Sequence, residues 1–206
     1  TTSPHTLARM NTKRVRTLLA ACLLGFCAPV FAAADGSQVQ LPKGTDLAIV
    51  VFEDLQCPDC ARAHPELLKA SETLEVPVVI HDFPITRHVW AFPAAILARW
   101  FTAQSPALGV EFRSYIFEHQ RDIRPENLRQ YGEQFAARHQ LTLPADVDPD
   151  GKLQALVQAD FDLGMKIRLE YVPLIFVIRR DGEASRAVEV TDLAKLGDAV
   201  AQTRRN

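Results

Sequence analysis

The feature that most constrains the fold is a pair of cysteines, Cys57 and Cys60, placed where a strand pattern gives way to a helix pattern. The run LAIVVF at 47–52 is continuously apolar, which predicts a buried strand. Pro58 suits the first turn of a helix, because the N–H that it lacks has no helical partner there. A second apolar run, VPVVIH at 76–81, predicts another strand. Strand, helix and strand over this length predict a β-α-β unit with parallel strands.

The remaining patterns predict the class of the fold. Four stretches with apolar residues at helical spacing follow the second strand, at 89–101, 108–119, 126–139 and 152–169. Two further strands are predicted at 174–178 and 187–190, with the turn signal Asp181-Gly182 between them, and a helix at 192–203. This order predicts an α/β protein, namely a thioredoxin fold with an inserted helical subdomain at about 85–165.

The beginning of the chain has the pattern of a secretory signal peptide at 1–34. Its basic residues are Lys13, Arg14 and Arg16. The apolar segment 17–31 follows, and the small residues at 32–34 offer a cleavage site. The apolar segment is shorter than the roughly 20 residues that span a membrane. We therefore expect export and cleavage rather than an uncleaved anchor.

Three further interpretations concern the same region. Met10 precedes the basic cluster, so residues 1–9 are expected to lie upstream of the natural start. The letters around Cys22 also fit a lipidation site, but the apolar stretch before this cysteine is very short. Residues 35–45 are predicted to be an N-terminal linker with one short edge strand at 39–41. The thioredoxin domain is then expected to occupy 46–206.

Removal of the signal peptide changes the charge and the cysteine count. Residues 1–32 hold four of the 23 basic residues and no acidic residue, which leaves 19 basic against 25 acidic residues and a net charge near −6. An acidic balance argues against a nucleic-acid partner. Cys22 and Cys27 leave with the leader, so one C-x-x-C pair remains, in a compartment that permits disulfides. A structural framework would need more cysteines, so the pair is predicted to be redox-active.

The position of Cys57 predicts which sulfur reacts. The unpaired N–H groups and the dipole at a helix start favour an anion, which lowers the pKa of a thiol there. Cys60 lies one helical turn later, where it can close a disulfide and resolve a mixed disulfide with substrate. Asp59 acts in the opposite direction, because a neighbouring carboxylate raises a thiol pKa. One pKa unit corresponds to roughly 30 mV for this two-electron couple, so Asp59 alone does not reverse the role of the pair.

Two alternatives for the cysteine pair stay open. The pair could form a purely structural disulfide. It could also provide half of a zinc or copper site, with His64 and either His81 or His88 completing a four-ligand set. The buried strand before the pair, the helix after it and the export signal together favour the redox interpretation.

Val172-Pro173 is the second feature of interest, because it stands directly before the strand at 174–178. A proline is tolerated at the first residue of a strand, which is one interpretation. In the other, the bond is cis and its loop faces Cys57, where the backbone would pair with an extended substrate.

These segments together resemble a known family, the DsbA-like thioredoxin proteins, in particular their BdbD-type branch. The resemblance covers about residues 45–203, and the segments that carry it are VVFEDLQCPDC, HDFP, WAFPAAILARW, EFRSYIFEHQ, DFDLGMKIRLEYVP and LIFVI. It implies that Cys57 is the exposed nucleophile, that Cys60 is its buried partner and that Pro173 is a cis proline that binds substrate together with Val172. It implies no cofactor.

The chain departs from this family at several positions. Many relatives carry a buried acid six residues before the first cysteine, where this chain has Val51, so Glu53 becomes the candidate proton relay. Glu53 and Asp54 are otherwise expected to be surface residues at the end of the strand. Tyr171 and Val172 replace the usual Gly-Thr before the cis proline, and Asp59 replaces an uncharged residue or histidine.

The resemblance implies an exported, periplasmic disulfide donor. Oxidised Cys57 and Cys60 would pass their disulfide to reduced or misoxidised exported proteins, and a membrane partner of the DsbB or VKOR type would reoxidise them. The chain is expected to be a monomer. Two alternatives stay open: a periplasmic reductase or isomerase, and a soft-metal chaperone that uses the dithiol as a clamp.

Overall fold

A computed structural model describes residues 34–182 and 184–205. The predicted signal peptide lies outside these residues, apart from Ala34. The strands are β1 (Leu47–Glu53), β2 (Val78–Asp82), β3 (Leu174–Asp181) and β4 (Ala184–Glu189). The helices are α1 (Pro58–Leu74), α2 (Ala91–Gln104), α3 (Pro106–His119), α4 (Leu128–Arg138), α5 (Lys152–Lys166) and α6 (Leu196–Arg205). Their order is the order that the sequence predicts.

The four strands form one sheet in the order β2-β1-β3-β4. β1 runs parallel to β2 and antiparallel to β3, and β3 forms a hairpin with β4. Gly182 has a φ of +63° at the hairpin turn, a conformation that favours glycine. The predicted hairpin is therefore present, although both of its strands extend further toward the turn than the apolar pattern indicates.

β1 is buried on both faces, because a helical layer covers each side of the sheet. Ile49 and Val51 pack in the cluster formed with α1 and α6. Ala48, Val50 and Phe52 alternate with them and pack in the other cluster, which contains the core of the helical insertion. Fully burying a side chain as large as Phe52 stabilises the fold by about 1.5–3 kcal/mol. Successive side chains of β1 therefore point to opposite faces of the sheet and pack against different helical layers.

The inserted helices α2 to α5 form the predicted helical subdomain. Phe101, Phe112 and Phe135 pack against one another from α2, α3 and α4, with ring centroids 4.4–5.3 Å apart. These apolar contacts join three helices, and each of them shows apolar residues at helical spacing in the sequence. The subdomain covers the sheet face that carries Phe52.

One local expectation is wrong. No strand is present at 39–41, where a short 3-10 helix at Gly36–Gln38 leads into an extended segment. Val39 and Leu41 are nonetheless buried in the core, so this segment packs on the domain instead of acting as a free linker. α1 continues through Pro65 to Leu74 as one helix. Within the described residues, no helix combines the length and hydropathy needed to cross a bilayer.

Candidate functional site

Cys57 is the N-cap residue of α1, with Pro58 in the first helical turn. The Cys57 N–H donates to the Asp54 carbonyl at 3.0 Å, which closes a tight turn between β1 and α1. Gln120, at the end of α3, donates from Nε2 to the carbonyls of Leu55 (2.9 Å) and Cys57 (3.1 Å). The helical insertion therefore holds the backbone of this turn from one side and fixes the position of the first cysteine.

The pKa values of the two thiols are shifted in opposite directions. The hydrogen bond with the Cys60 thiol is the largest cause that lowers the pKa of Cys57, and the Cys60 N–H adds to it, so that the pKa falls from 9.0 to about 6 despite burial. Burial is the largest cause that raises the pKa of Cys60, and the neighbouring Cys57 raises it further. Near neutral pH the pair thus holds one thiolate on Cys57 and one thiol on Cys60, which are the states that thiol exchange needs.

The expectation of an exposed Cys57 is wrong in degree. Only 6% of the Cys57 surface is exposed, against 1% for Cys60, and both cysteines are free thiols. The Cys57 sulfur lies 3.7 Å from the Val172 carbonyl oxygen, to which it donates when it is protonated. Cys57 is therefore the more accessible sulfur of the pair, and it lies beside the Val172 backbone.

The loop at 171–173 lies beside the first cysteine, as the family resemblance implies. The Val172-Pro173 peptide bond is cis. A groove of about 460 Å³ is lined by Asp59, Tyr171, Val172 and Pro173 together with residues that follow β4. The Tyr171 hydroxyl donates to Glu189, and burial together with this carboxylate raises the pKa of Tyr171 to about 12. Tyr171 therefore forms one wall of the groove as a neutral phenol.

Asp54 is buried, with 1% of its surface exposed, which contradicts the expectation of a surface residue. Its carboxylate accepts hydrogen bonds from the N–H groups of Gln56 and Ile85, both at 2.6 Å, and from Nδ1 of His88 at 2.8 Å. Its own N–H donates to the Cys60 sulfur at 3.4 Å. Burial outweighs these bonds and raises the pKa of Asp54. Asp54 therefore links the active-site turn to the loop after β2.

Glu53 is also buried, with 2% of its surface exposed, so the same expectation is wrong for it. It follows Val51 by two residues and lies on the face of β1 that meets α1, where the His64 imidazole is 3.6 Å away. Arg113 of α3 pairs with Glu53 at 3.1 Å and with Asp82 at 2.7 Å. Burial raises the pKa of Glu53, but His64 and Arg113 outweigh it, and the net shift is downward.

The register of the sheet explains this buried ion cluster. Glu53 and Asp82 are direct partners at the carboxyl ends of the parallel strands β1 and β2, so two carboxylates meet on one face. Arg113 lies between them, and both carboxylates raise its pKa against the effect of burial. Arg99 continues the cluster, with Nε 2.6 Å from Asp82 and a second contact to Asp160. The sequence interpretation missed this cluster, since its members lie in five separate elements of the chain.

The histidines considered as metal ligands have other partners. Nε2 of His64 lies 3.0 Å from the Ser114 hydroxyl, and Nδ1 of His81 lies 2.6 Å from Asp160. His88 is bound to Asp54. Among residues 34–182 and 184–205, no group of three or more His, Cys, Asp or Glu side chains is arranged to hold a metal ion. Nothing in this part of the chain brings a histidine and both cysteines together as ligands.

Asp59 lies on the surface and forms an ion pair with Arg62, one turn later on α1. The carboxylate that raises the pKa of Cys57 in the structure is that of Asp54, and His88 opposes it. The sequence argument assigned this effect to Asp59, whereas the carboxylate with the larger effect on the Cys57 thiol is the buried Asp54.

Comparisons with known proteins agree with this geometry. A thioredoxin family model matches residues 43–194. No curated protein matches the chain at a significant level. Among solved structures, alpha-DsbA1 of Wolbachia pipientis is similar with a TM-score of 0.62 and 15% identity, over 81% of this chain and 93% of that chain.

Two further structures have the same architecture. The thiol-disulfide exchange protein alpha-DsbA2 of Wolbachia pipientis is similar with a TM-score of 0.61 and 16% identity, over 78% of this chain and 83% of that chain. The catalytic domain of Proteus mirabilis ScsC is similar with a TM-score of 0.61 and 17% identity, over 80% of this chain and 87% of that chain. These likenesses confirm the predicted thioredoxin fold with a helical insertion.

Proposed function

The chain belongs to the thioredoxin family, and on that premise we propose that it is an exported protein thiol-disulfide oxidoreductase that donates disulfides through Cys57 and Cys60. One observation carries the proposal: the Cys57 thiol caps α1 beside the Val172 carbonyl, and the more deeply buried Cys60 thiol lies one turn along. This arrangement lowers the pKa of Cys57 to about 6 and raises that of Cys60. A low thiol pKa stabilises the reduced protein, which makes its disulfide a stronger oxidant.

The proposed reaction begins with the oxidised pair. A substrate thiolate attacks Cys57, the Cys57–Cys60 bond breaks, and Cys60 leaves and takes up a proton. A mixed disulfide now joins Cys57 to the substrate. A second substrate thiolate attacks the substrate sulfur of this bond and releases Cys57 as a thiolate, which its low pKa makes the better leaving group. The substrate loses two electrons and gains a disulfide, and the protein is left as the dithiol.

The loop at 171–173 is proposed to bind the substrate chain. Its position beside the Cys57 sulfur and the adjacent groove support this role, because an extended peptide can pair with the backbone next to Val172. Pro173 would set the direction of this backbone.

We propose Glu53 as a proton acceptor, but the residues around it make it a weak base. Its ion pair with Arg113 keeps it ionised, and its negative charge raises the pKa of Cys60. A carboxylate of lowered pKa is a weak base. We therefore propose that Glu53 acts mainly as a fixed charge that keeps Cys60 protonated. Asp54, whose pKa is raised, is the stronger base near Cys60.

Export, reoxidation and assembly complete the proposal. The leader pattern in residues 13–34 supports passage to the periplasm, where a disulfide donor has reduced substrates. A membrane redox partner of the DsbB or VKOR type would restore the disulfide. The protein would act as a monomer.

We expect a reduction potential well above the roughly −270 mV of thioredoxin. The pair should be equilibrated with glutathione buffers at pH 7, and the reduced fraction should be measured by alkylation and mass spectrometry. The oxidised protein should also speed disulfide formation in a reduced, unfolded test protein. A potential at or below −270 mV would contradict the donor role and support the reductase alternative.

A further inference from the structure

Tyr171 is an exposed aromatic side chain next to the reacting sulfur. With 49% of its surface exposed, it is the one aromatic residue among the large apolar side chains that are exposed in the described part of the chain. The residue after it is Val172, whose carbonyl oxygen lies 3.7 Å from the Cys57 sulfur. The ring therefore adjoins the backbone that is proposed to pair with substrate.

The Tyr171 ring is held in place on both sides. Its hydroxyl donates to the Glu189 carboxylate, and Glu189 belongs to β4, which pairs with β3. Pro173 restricts the backbone on the other side, because its own ring fixes φ. A side chain that is already held loses little freedom when a ligand packs on it, which favours binding.

The charged residues around this ring are mostly acidic. Asp59 and Asp192 line the groove, and no basic side chain is among the described residues that line it. Glu189 adds a third carboxylate through its contact with Tyr171. Arg62 pairs with Asp59 and offsets one of these three charges. Because carboxylates near the surface are ordinarily ionised at neutral pH, the balance of charge around the groove is negative.

An aromatic ring beside carboxylates is suited to a basic side chain. The face of the ring attracts a cation, and the aliphatic stem of a lysine or arginine packs on apolar surface. A groove with one sign of charge also raises the local concentration of the opposite charge. An acidic segment would be repelled there, and an apolar segment would gain the contact with the ring alone.

We propose that the groove selects substrate segments with a lysine or arginine close to the reacting cysteine, and that Tyr171 determines this specificity. The inference rests on the proposed function, since it names the class of substrate for the same groove. The basic side chain packs on the Tyr171 ring with its charge toward Asp192. The backbone beside it pairs with Val172, which brings the substrate sulfur to Cys57.

The test uses dithiol peptides that differ only in the residue next to each cysteine, which is lysine, glutamine or glutamate. The rate at which the oxidised protein oxidises each peptide at pH 7 should be divided by the rate of that peptide with hydroxyethyl disulfide. This small neutral disulfide corrects for differences in acidity among the peptide thiols. We expect the lysine peptide to react about tenfold faster than the glutamate peptide at low salt, with a ratio that falls as salt is added.

Two substitutions at Tyr171 separate the aromatic face from the hydroxyl. Tyr171→Phe keeps the face and Tyr171→Leu removes it, while both lose the hydrogen bond to Glu189. The ratio of the lysine rate to the glutamine rate should be about threefold lower in Tyr171→Leu than in Tyr171→Phe.

Asp192→Asn tests the charge separately. The amide oxygen can still accept from the Ala194 N–H, so the local turn is kept while the charge is lost. The lysine-to-glutamine ratio should fall by about twofold. Glu133→Gln is the matched control, because it removes one charge from an exposed carboxylate that pairs with Arg129 on α4. It should leave the ratio unchanged.

Two results would overturn the inference: lysine and glutamate peptides that react within about twofold of each other at low salt, or equal ratios in Tyr171→Leu and Tyr171→Phe. Failure of the proposed function would look different, because the oxidised protein would then oxidise none of the peptides. The preference is still measurable in that case, with reduced protein and the peptide disulfides, since the same groove receives the peptide.

Discussion

Replacing Cys57 with serine is expected to reduce disulfide transfer to the background rate of the buffer. A serine hydroxyl is not ionised near neutral pH and cannot form a mixed disulfide, so the first step of the reaction is lost. The side chains are nearly equal in size, and the N-cap position favours serine, so the fold should be retained. Refolding of a reduced test protein, with far-ultraviolet circular dichroism as a check of the fold, measures both effects.

Cys60→Ser is the matched control, because it removes the partner sulfur and keeps the nucleophile. This variant should form a mixed disulfide with an oxidised test substrate and accumulate it, since no resolving thiol is present. Mass spectrometry would show the adduct on Cys57. Exchange that persists in Cys57→Ser, or an adduct on Cys60 in the unchanged protein, would refute the assignment of the nucleophile.

Replacing Arg113 with methionine should destabilise the protein by about 3–5 kcal/mol, the cost of removing one partner from a buried ion pair. Arg113 is buried and bridges the Glu53 and Asp82 carboxylates, which would be left facing each other in the interior. The free energy of unfolding should be measured by urea denaturation of the oxidised protein.

Two further variants sharpen this measurement. Arg129→Met removes an exposed partner of Glu133 and should cost no more than about 1 kcal/mol. Adding Glu53→Gln to Arg113→Met should recover part of the lost stability, because the buried Glu53 charge that Arg113 compensates is then absent. A loss for Arg113→Met as small as that of Arg129→Met would show that the buried cluster does not hold α3 against the sheet.

The sequence was sufficient for those features that depend on local pattern. The apolar run of β1, the proline after Cys57 and the turn at Asp181-Gly182 each predict an element within a few residues of its observed place. The site cysteines follow from the same pattern, since a C-x-x-C pair at the start of a helix places one sulfur at the dipole. The helical insertion is equally visible, because its helices have apolar residues at regular spacing.

Features that depend on contacts between distant segments could not be predicted. Glu53 and Asp54 look like the polar end of a strand, and nothing in the local pattern shows that α3 supplies Arg113 to one and the loop before α2 supplies His88 to the other. The small exposure of Cys57 likewise depends on Val172, which lies 115 residues away along the chain. Val39 and Leu41 alternate with polar residues, which predicts an edge strand. In the structure both residues are buried but lie outside regular secondary structure, and a local pattern does not distinguish the two cases.

The most direct test of the central claim is the pH dependence of alkylation of the reduced protein, with the modified residue identified by mass spectrometry. Only the thiolate reacts with iodoacetamide. The account predicts modification of Cys57 alone, with a rate that rises with pH and levels off above a midpoint of about 6. A midpoint near 9, modification of Cys60 first, or a Cys57 that stays unreactive in the folded protein would contradict it.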